Sequence, residues 1–473
     1  SMKPLNRQNI PNPTSRPLKV IQYGTGNFLR GFADWMIDVL NEKTSFDGDI
    51  QMIQVHSRKP AQGINDQEGL YHVLTRGISK GKTIEENRLI QSVRGAVNPF
   101  LDYNAYLEIA KIPELRFVIS NTTEAGIYFD ENDKDWATSP ESFPGKLTAL
   151  LYRRFKHFKG DIEKGLVVIP CELVEDNGKK LKDNILRYID LWELPGSFED
   201  WIVKHNTFCN TLVDRIVPGY PVGSGNEIQA QLGFKDEQMV MAEPFHFWAI
   251  EGPDWLRMEL PLDNAGFNVQ FVKDIAPFRT RKVRILNGAH TCLVPVAYLA
   301  GIRLVKDAME NEETSNYLKQ VIFNEIIPAM DQPAASVTPF AEDVLDRFRN
   351  PFIKHKLSDI ALNSISKWKV RVLPSLLDYI NKKDEIPTGM VQAFAAMIVY
   401  YRGHYNGEKT PINDKTEIVK YFDQVWKIKT PDVVVESVLA KIDFWDQDLN
   451  LVYGLSEALI KEVKALLAKE KVQ

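Results

Sequence analysis

Two kinds of hydrophobic pattern divide the chain. In the first part, short apolar runs alternate with amphipathic stretches. The run Leu18–Tyr23 reads as a buried strand, and similar runs lie at 52–55, 116–120 and 165–170. Helical periodicity covers 28–40 and 144–157. Strands alternating with helices imply a parallel sheet wound with helices. From about residue 281 the character changes. Helical patterns cover 281–299, 303–329, 341–348, 353–365, 370–381, 390–401, 416–426, 431–444 and 456–471, and β-rich patterning is scarce. Gly252-Pro253, Pro261 and Pro277 break periodicity between the two regimes. The expectation is a polar, Pro-rich arm at 1–17, an α/β domain at 18–270 and a mostly α-helical domain at 271–473.

Composition removes several classes of function. The 473 residues suffice for two or three domains with sizeable cores. The net charge of −5 is spread over interspersed acids and bases, so nucleic acid is not an expected partner. The longest apolar runs are far shorter than the roughly 20 residues a bilayer span needs, so no membrane association is expected. No leader pattern opens the chain, and a cytoplasmic setting is expected. Cys171, Cys209 and Cys292 are widely spaced and odd in number, which fits reduced thiols. No pair has metal-ligand spacing, so no metal site is expected. The pattern specifies no oligomeric state.

Gly24-x-Gly26 falls between a predicted strand and a predicted helix, the context of a dinucleotide-binding turn. The first glycine permits the tight turn. The second lets backbone approach a pyrophosphate at the helix start. The third glycine of the usual fingerprint is replaced by Leu29. Arg30 fits a helix surface or adds charge near a phosphate. An NAD-binding second strand ordinarily ends in an acid that holds the ribose hydroxyls. Here it ends His56-Ser57-Arg58-Lys59. By that rule alone the cofactor would be NADP, with Arg58 on the extra phosphate. The other reading makes Arg58 and Lys59 solvated turn residues.

Lys282, Asn287 and His290 stand at i, i+5 and i+8 in a helical stretch. On an α-helix i+5 and i+8 share a face, and Lys282 leans toward it from a turn or more away. An amine, an amide and an imidazole aimed at one point suit carbonyl reduction or alcohol oxidation. Each has a plain structural alternative. Helical lysines are mostly solvated, Asn287-Gly288 alone suggests a turn, and His290 could be a satisfied core histidine.

Taken together, these motifs resemble the mannitol dehydrogenase family of metal-independent, long-chain polyol and sugar-acid dehydrogenases. The resemblance rests on Gly24-Thr25-Gly26-Asn27-Phe28-Leu29-Arg30, Gln67-x-Gly69-Leu70-Tyr71, Thr123-Glu124-x-Gly126, Val213-Asp214-Arg215-Ile216, Glu243-Pro244-Phe245-x-x-Trp248 and Lys282-x4-Asn287-x2-His290. It implies an N-terminal Rossmann-type, doubly wound domain, a helical C-terminal domain and a site in the cleft between them. It implies Lys282 as general acid/base, with Asn287 and His290 on the reacting oxygen. It places Tyr23, Gly24, Thr25, Gly26, Asn27, Phe28, Arg30, Ser57, Asn121 and Thr122 toward the cofactor, and Asp214 and Lys367 toward the substrate. It favours NAD over NADP, against the strand-end rule.

Two departures from mannitol-type members bear on the substrate. Those members carry Glu where this chain has Arg279, and Asp-Asn where it has Glu172-Leu173. A guanidinium matches a carboxylate by paired hydrogen bonds, whereas Glu would repel it. Arg279 therefore points to an acidic sugar, with Lys367 and Arg371 as further cations on one helix face. The expected reaction is reduction of a keto-uronate. The alternatives are an epimeric keto-uronate, a polyol, a sugar phosphate, or nucleotide and sugar-acid binding without turnover.

Overall fold

Leu18–Tyr23 forms strand β1, with the bounds its apolar pattern implies. The computed structural model describes residues 2–471. Five further strands join β1 in one sheet: β2 (Asp49–Ile53), β3 (Val93–Val97), β4 (Phe117–Ser120), β5 (Val167–Pro170) and β6 (Thr207–Phe208). The spatial order is β3-β2-β1-β4-β5-β6, and every pairing is parallel. This is the order of the doubly wound dinucleotide-binding fold, and it reverses between β1 and β4. Both faces are covered, which is why the strands read as apolar runs. Val20, Met52, Ile119 and Ile169 pack with Met36 and Leu40 of the helix Ala33–Lys43. The alternate residues Ile21, Ile53, Val118 and Val168 pack with Leu147, Ile185 and Ile202 on the other face.

The chain divides into two units. The first runs through Arg76 and resumes over Thr83–Ile275, and the second takes Gly77–Lys82 and everything from Ala276 on. Two three-stranded sheets and two short pairings lie beyond those expected, one of the pairings joining His404–Tyr405 to Glu408–Lys409. Asn210–Asp214, Phe247–Glu251 and Val269–Val272 form one sheet, and Val240–Ala242 with Tyr71–Ser79 and Lys82–Ile90 form another. Lys3–Pro4 of the N-terminal arm pairs with Phe234–Lys235, and Leu5 and Ile10 are buried beside Leu70. The helix expected at 28–40 is two helices, Asn27–Arg30 and Ala33–Lys43. The break at Phe32 (φ −128°) turns its fully buried ring onto Phe28 and Trp248.

One buried cation ties the first unit together. Arg154, on the helix Phe143–His157, donates to the carbonyls of Ala110, Ile112, Leu115 and Lys164 at 2.7–3.0 Å. Burial lowers this guanidinium to about 10. Arg154→Met keeps the apolar stem and should cost about 2–3 kcal/mol of stability. A denaturant midpoint equal to wild type would refute this role.

The second unit is helical around Gly288–Leu299 and Thr388–Tyr400, which are buried nearly all round. The pattern at 303–329 is interrupted at Asn311, whose side chain accepts from the Thr314 N–H and caps Glu312–Val321. The pattern at 353–365 resolves into a short helix, Leu357–Ile360, and the start of another, Ser364–Arg371, with Asn363 (φ 55°) in a left-handed conformation between them. Among the described residues no helix is long and apolar enough to cross a membrane. Cys171, Cys209 and Cys292 are free and buried.

Candidate functional site

In the first unit, the expected cofactor residues gather where β1, β2 and β4 end. Gly24 has φ +117°, and a Cβ there would stand 2.6 Å from the Asn121 carbonyl oxygen. Only glycine fits. Gly26 precedes the Asn27–Arg30 turn, and a Cβ on it would meet nothing within 4 Å. The backbone is thus bare and open at the point where a pyrophosphate must approach closely. Arg30 is buried and braces this turn. Its Nε donates to the Thr25 carbonyl at 3.2 Å, and its other nitrogens reach Asn27 Oδ1 and the Gln238 carbonyl. The Tyr71 hydroxyl donates to the Arg30 carbonyl at 2.7 Å. Phe28 is half-buried and stacks on Phe32. Tyr23 turns its ring into the core, where its hydroxyl pairs with that of Tyr106, and burial pushes its phenol well above the usual range. Its carbonyl accepts from the Asn121 N–H at 3.0 Å, so Tyr23 can face a ligand only through backbone.

Glu172 shapes the end of β4. Its carboxylate accepts from Ser120 Oγ, the Thr122 N–H and Thr122 Oγ1, each at 2.9 Å. Burial raises this carboxyl, and those hydrogen bonds offset only part of the rise. Asn121 donates to the Cys171 carbonyl at 3.1 Å. Leu173, where mannitol-type members have Asn, is exposed and apolar. Ser57 lies in a turn fixed from two sides: Asn98 donates to its carbonyl at 2.8 Å, and Gln54 donates to that of Lys59 at 2.7 Å. Arg58 pairs with Glu141 and lies 4.1 Å above the Phe100 ring. Asp214 ends its strand as a buried residue. Arg215 beside it donates to the Glu243 and Gly31 carbonyls and lies over Trp35, with burial lowering it to about 9.

In the second unit, the helix expected over 281–299 changes form at the lysine. Ala276–Arg281 is α-helical, Lys282–Asn287 is a π turn, and Gly288–Leu299 returns to α. The Gly288 N–H reaches back five residues to the Val283 carbonyl. In an unbroken α-helix, five residues leave Lys282 and Asn287 roughly 140° apart. In a π turn, i and i+5 stack one turn apart. Asn287 and His290 then share a face at α-helical i, i+3 spacing. The inserted residue supplies the alignment that an α-helix would deny. Arg284 leaves this face, with contacts to Asp378 at 2.9 Å and Ser375 at 3.2 Å. Arg279 is half-buried one turn before Lys282, and Arg281 lies over the Phe340 ring at 4.4 Å.

His290 is 8 % exposed, and its Nε2 has no hydrogen-bond partner among the described residues. Its ring stacks on Phe348 with centroids 4.1 Å apart and meets His355 edge-on at 5.4 Å. Burial pushes its pKa well below the ordinary imidazole value, and His355, Arg347, Arg371 and Lys367 push it further the same way. It is therefore neutral at physiological pH. Lys367 donates to the Ile360 carbonyl at 2.8 Å, and burial and Arg371 lower its pKa. Burial also lowers Arg371. Arg347, on the helix Ala334–Phe348, and His355, in the segment before Leu357–Ile360, belong to no sequence motif and come to His290 from elements distant in the chain.

Models of two domains match the chain: the mannitol dehydrogenase Rossmann domain over residues 18–264 and the mannitol dehydrogenase C-terminal domain over 274–467. The chain belongs to the mannitol dehydrogenase family. Within that family it is 44% identical over 458 residues to the altronate oxidoreductase of Bacillus subtilis, covering 96% of this chain and 94% of the relative. The altronate oxidoreductase of Bacteroides thetaiotaomicron is 42% identical over 470 residues, covering 99% and 98%. Among solved structures, a D-sorbitol dehydrogenase in substrate-free form shares the fold with a TM-score of 0.81 at 23% identity, covering 99% of each chain. Mannitol 2-dehydrogenase of Pseudomonas fluorescens, seen with NAD and D-mannitol, has a TM-score of 0.68 at 21% identity, covering 98% and 96%.

Proposed function

We propose that this member of the family interconverts D-tagaturonate and D-altronate with NAD(H), in a cytoplasmic setting where its three buried thiols stay reduced. The relatives at 42–44% identity over nearly the whole chain support the substrate pair. The observation that carries the chemistry is the buried, unpartnered Nε2 of a neutral His290, one helical turn from Asn287 and in line with Lys282. A polar atom nine-tenths buried without a partner is costly unless a ligand completes it.

The bare Gly24 and Gly26 backbone fits a dinucleotide, with Thr25, Asn27, Ser57, Asn121 and Thr122 around it. When bound, the nicotinamide supplies or accepts the hydride. In reduction, the Lys282 ammonium gives its proton to the substrate oxygen. In oxidation, the neutral amine takes the hydroxyl proton back. Asn287 Nδ2 and His290 Nε2–H donate to that oxygen as charge grows on it. Because His290 is neutral, it stabilises charge by a hydrogen bond and leaves the proton transfer to Lys282. The substrate carboxylate is drawn to the cations around this face, with Arg279, Lys367, Arg371 and Arg347 as its candidate holders, and Asp214 is proposed to contact substrate hydroxyls.

The test is a spectrophotometric panel following NADH and NADPH oxidation with tagaturonate, fructuronate, fructose and fructose 6-phosphate. Tagaturonate with NADH should give the highest kcat/KM. A preference for fructuronate or a neutral ketose would overturn the substrate assignment. NADH binding without turnover of any of the four would overturn the enzymatic reading.

A further inference from the structure

We infer that Glu141, paired with Arg58, makes this chain select NAD over NADP. The inference rests on the nucleotide reading above and names the residue that sets its specificity. The second strand of an NAD-binding fold ordinarily ends in a carboxylate, and this chain puts Arg58 near that place instead. A free guanidinium there would be a receptor for a 2′-phosphate. It is not free: Glu141, from the loop before the helix Phe143–His157, pairs with it. The carboxylate missing from the strand end is supplied from 83 residues away.

Both partners are held in place by other groups. The Arg58 turn is pinned by Asn98 and Gln54, and its guanidinium lies over Phe100. The Glu141 N–H donates to Asp133 Oδ1 at 2.6 Å, and its carbonyl accepts from Lys146 Nζ at 2.9 Å. Lys146 is itself fully buried and reaches the Pro140 carbonyl at 2.6 Å and the Phe100 ring at 3.9 Å. The backbone on either side of the pair is therefore fixed, while the two charged ends remain 61% and 54% exposed to whatever docks there. A 2′-phosphate would have to displace one carboxylate from Arg58 and then lie beside it. Ribose hydroxyls would face a carboxylate that can accept their hydrogen bonds.

Glu141→Gln keeps the side chain's shape and removes its charge, and affinities measured by calorimetry need no turnover. Wild type should bind NADH more tightly than NADPH. In Glu141→Gln, NADPH should bind about ten- to a hundredfold more tightly than to wild type, the scale of a released charge-assisted contact. NADH affinity should change by no more than about threefold, since a neutral amide still accepts hydrogen bonds. Adding Arg58→Ala should erase the NADPH gain, which a merely structural role for Glu141 would not produce. Unchanged NADPH affinity in Glu141→Gln would overturn the inference. Wild type preferring NADPH would overturn it while leaving the nucleotide site standing. Wild type binding neither nucleotide would overturn both.

Discussion

Lys282→Ala is expected to lower kcat for tagaturonate reduction by about 10²–10⁴-fold, the usual span for a lost general acid. Affinity for NADH should stay within a factor of about two, because the nucleotide site proposed above lies wholly in the first unit. Alanine is the best helix former, and Lys282 is only half-buried, so the fold should tolerate the change. The competing role for this amine is to hold the substrate carboxylate. The two roles separate kinetically. A carboxylate holder would raise KM and spare kcat, whereas a proton donor lowers kcat and leaves KM nearly unchanged. Lys282→Arg sharpens the distinction. Arginine keeps the charge but does not deprotonate, so it would rescue a holder and fail as an acid/base. Substantial kcat in Lys282→Arg would sink the proton-transfer role.

How much of this was legible in the sequence follows from which interactions are local. β1 could be read to the residue because both faces of the sheet are covered, leaving a continuous apolar run. Lys82–Ile90 could not, because it is a mostly exposed edge strand rich in polar residues. The spacing of Lys282, Asn287 and His290 is legible in the sequence, but the π turn that Lys282–Asn287 adopts is not. Its only trace was the spacing itself, since an i, i+5 pair on one face requires an extra residue in the turn. Glu172 stands out in the sequence as a departure from mannitol-type members, and its contacts follow from strand register. Ser120 pairs with Pro170 across β4 and β5, so Glu172 and Thr122, each two residues past the strand end, meet. Glu141 and Arg347 carried no local signal. Their partners lie in other elements, and only the folded chain joins Glu141 to Arg58 or Arg347 to His290.

His290→Phe is expected to move activity and acid stability in opposite directions. The ring that replaces imidazole can keep the stack on Phe348, whose centroid lies 4.1 Å away. It cannot donate to the reacting oxygen. Removing one such donor costs about 2.7–4 kcal/mol of transition-state stabilisation, or about 10²–10³ in kcat. Stability follows from the proton count. Unfolded His290 titrates near the ordinary value of about 6.5, and folded His290 titrates well below it. Between those two values the unfolded chain binds the extra proton, so ν_U exceeds ν_N and stability falls as pH drops below about 6.5. Above that value His290 is neutral in both states and contributes no slope. His355 and His246, also lowered by burial, add slopes of the same sign that the variant retains. Thermal melts of wild type and His290→Phe should therefore diverge as pH falls from 7 to 5, with the variant the more stable at pH 5. His290→Asn restores a donor without the titrating ring, and should recover part of kcat while keeping the flatter acid limb. A variant that loses stability at pH 5 relative to wild type would mean that imidazole is held by a structural partner. Its Nε2 would then not be waiting for a substrate oxygen.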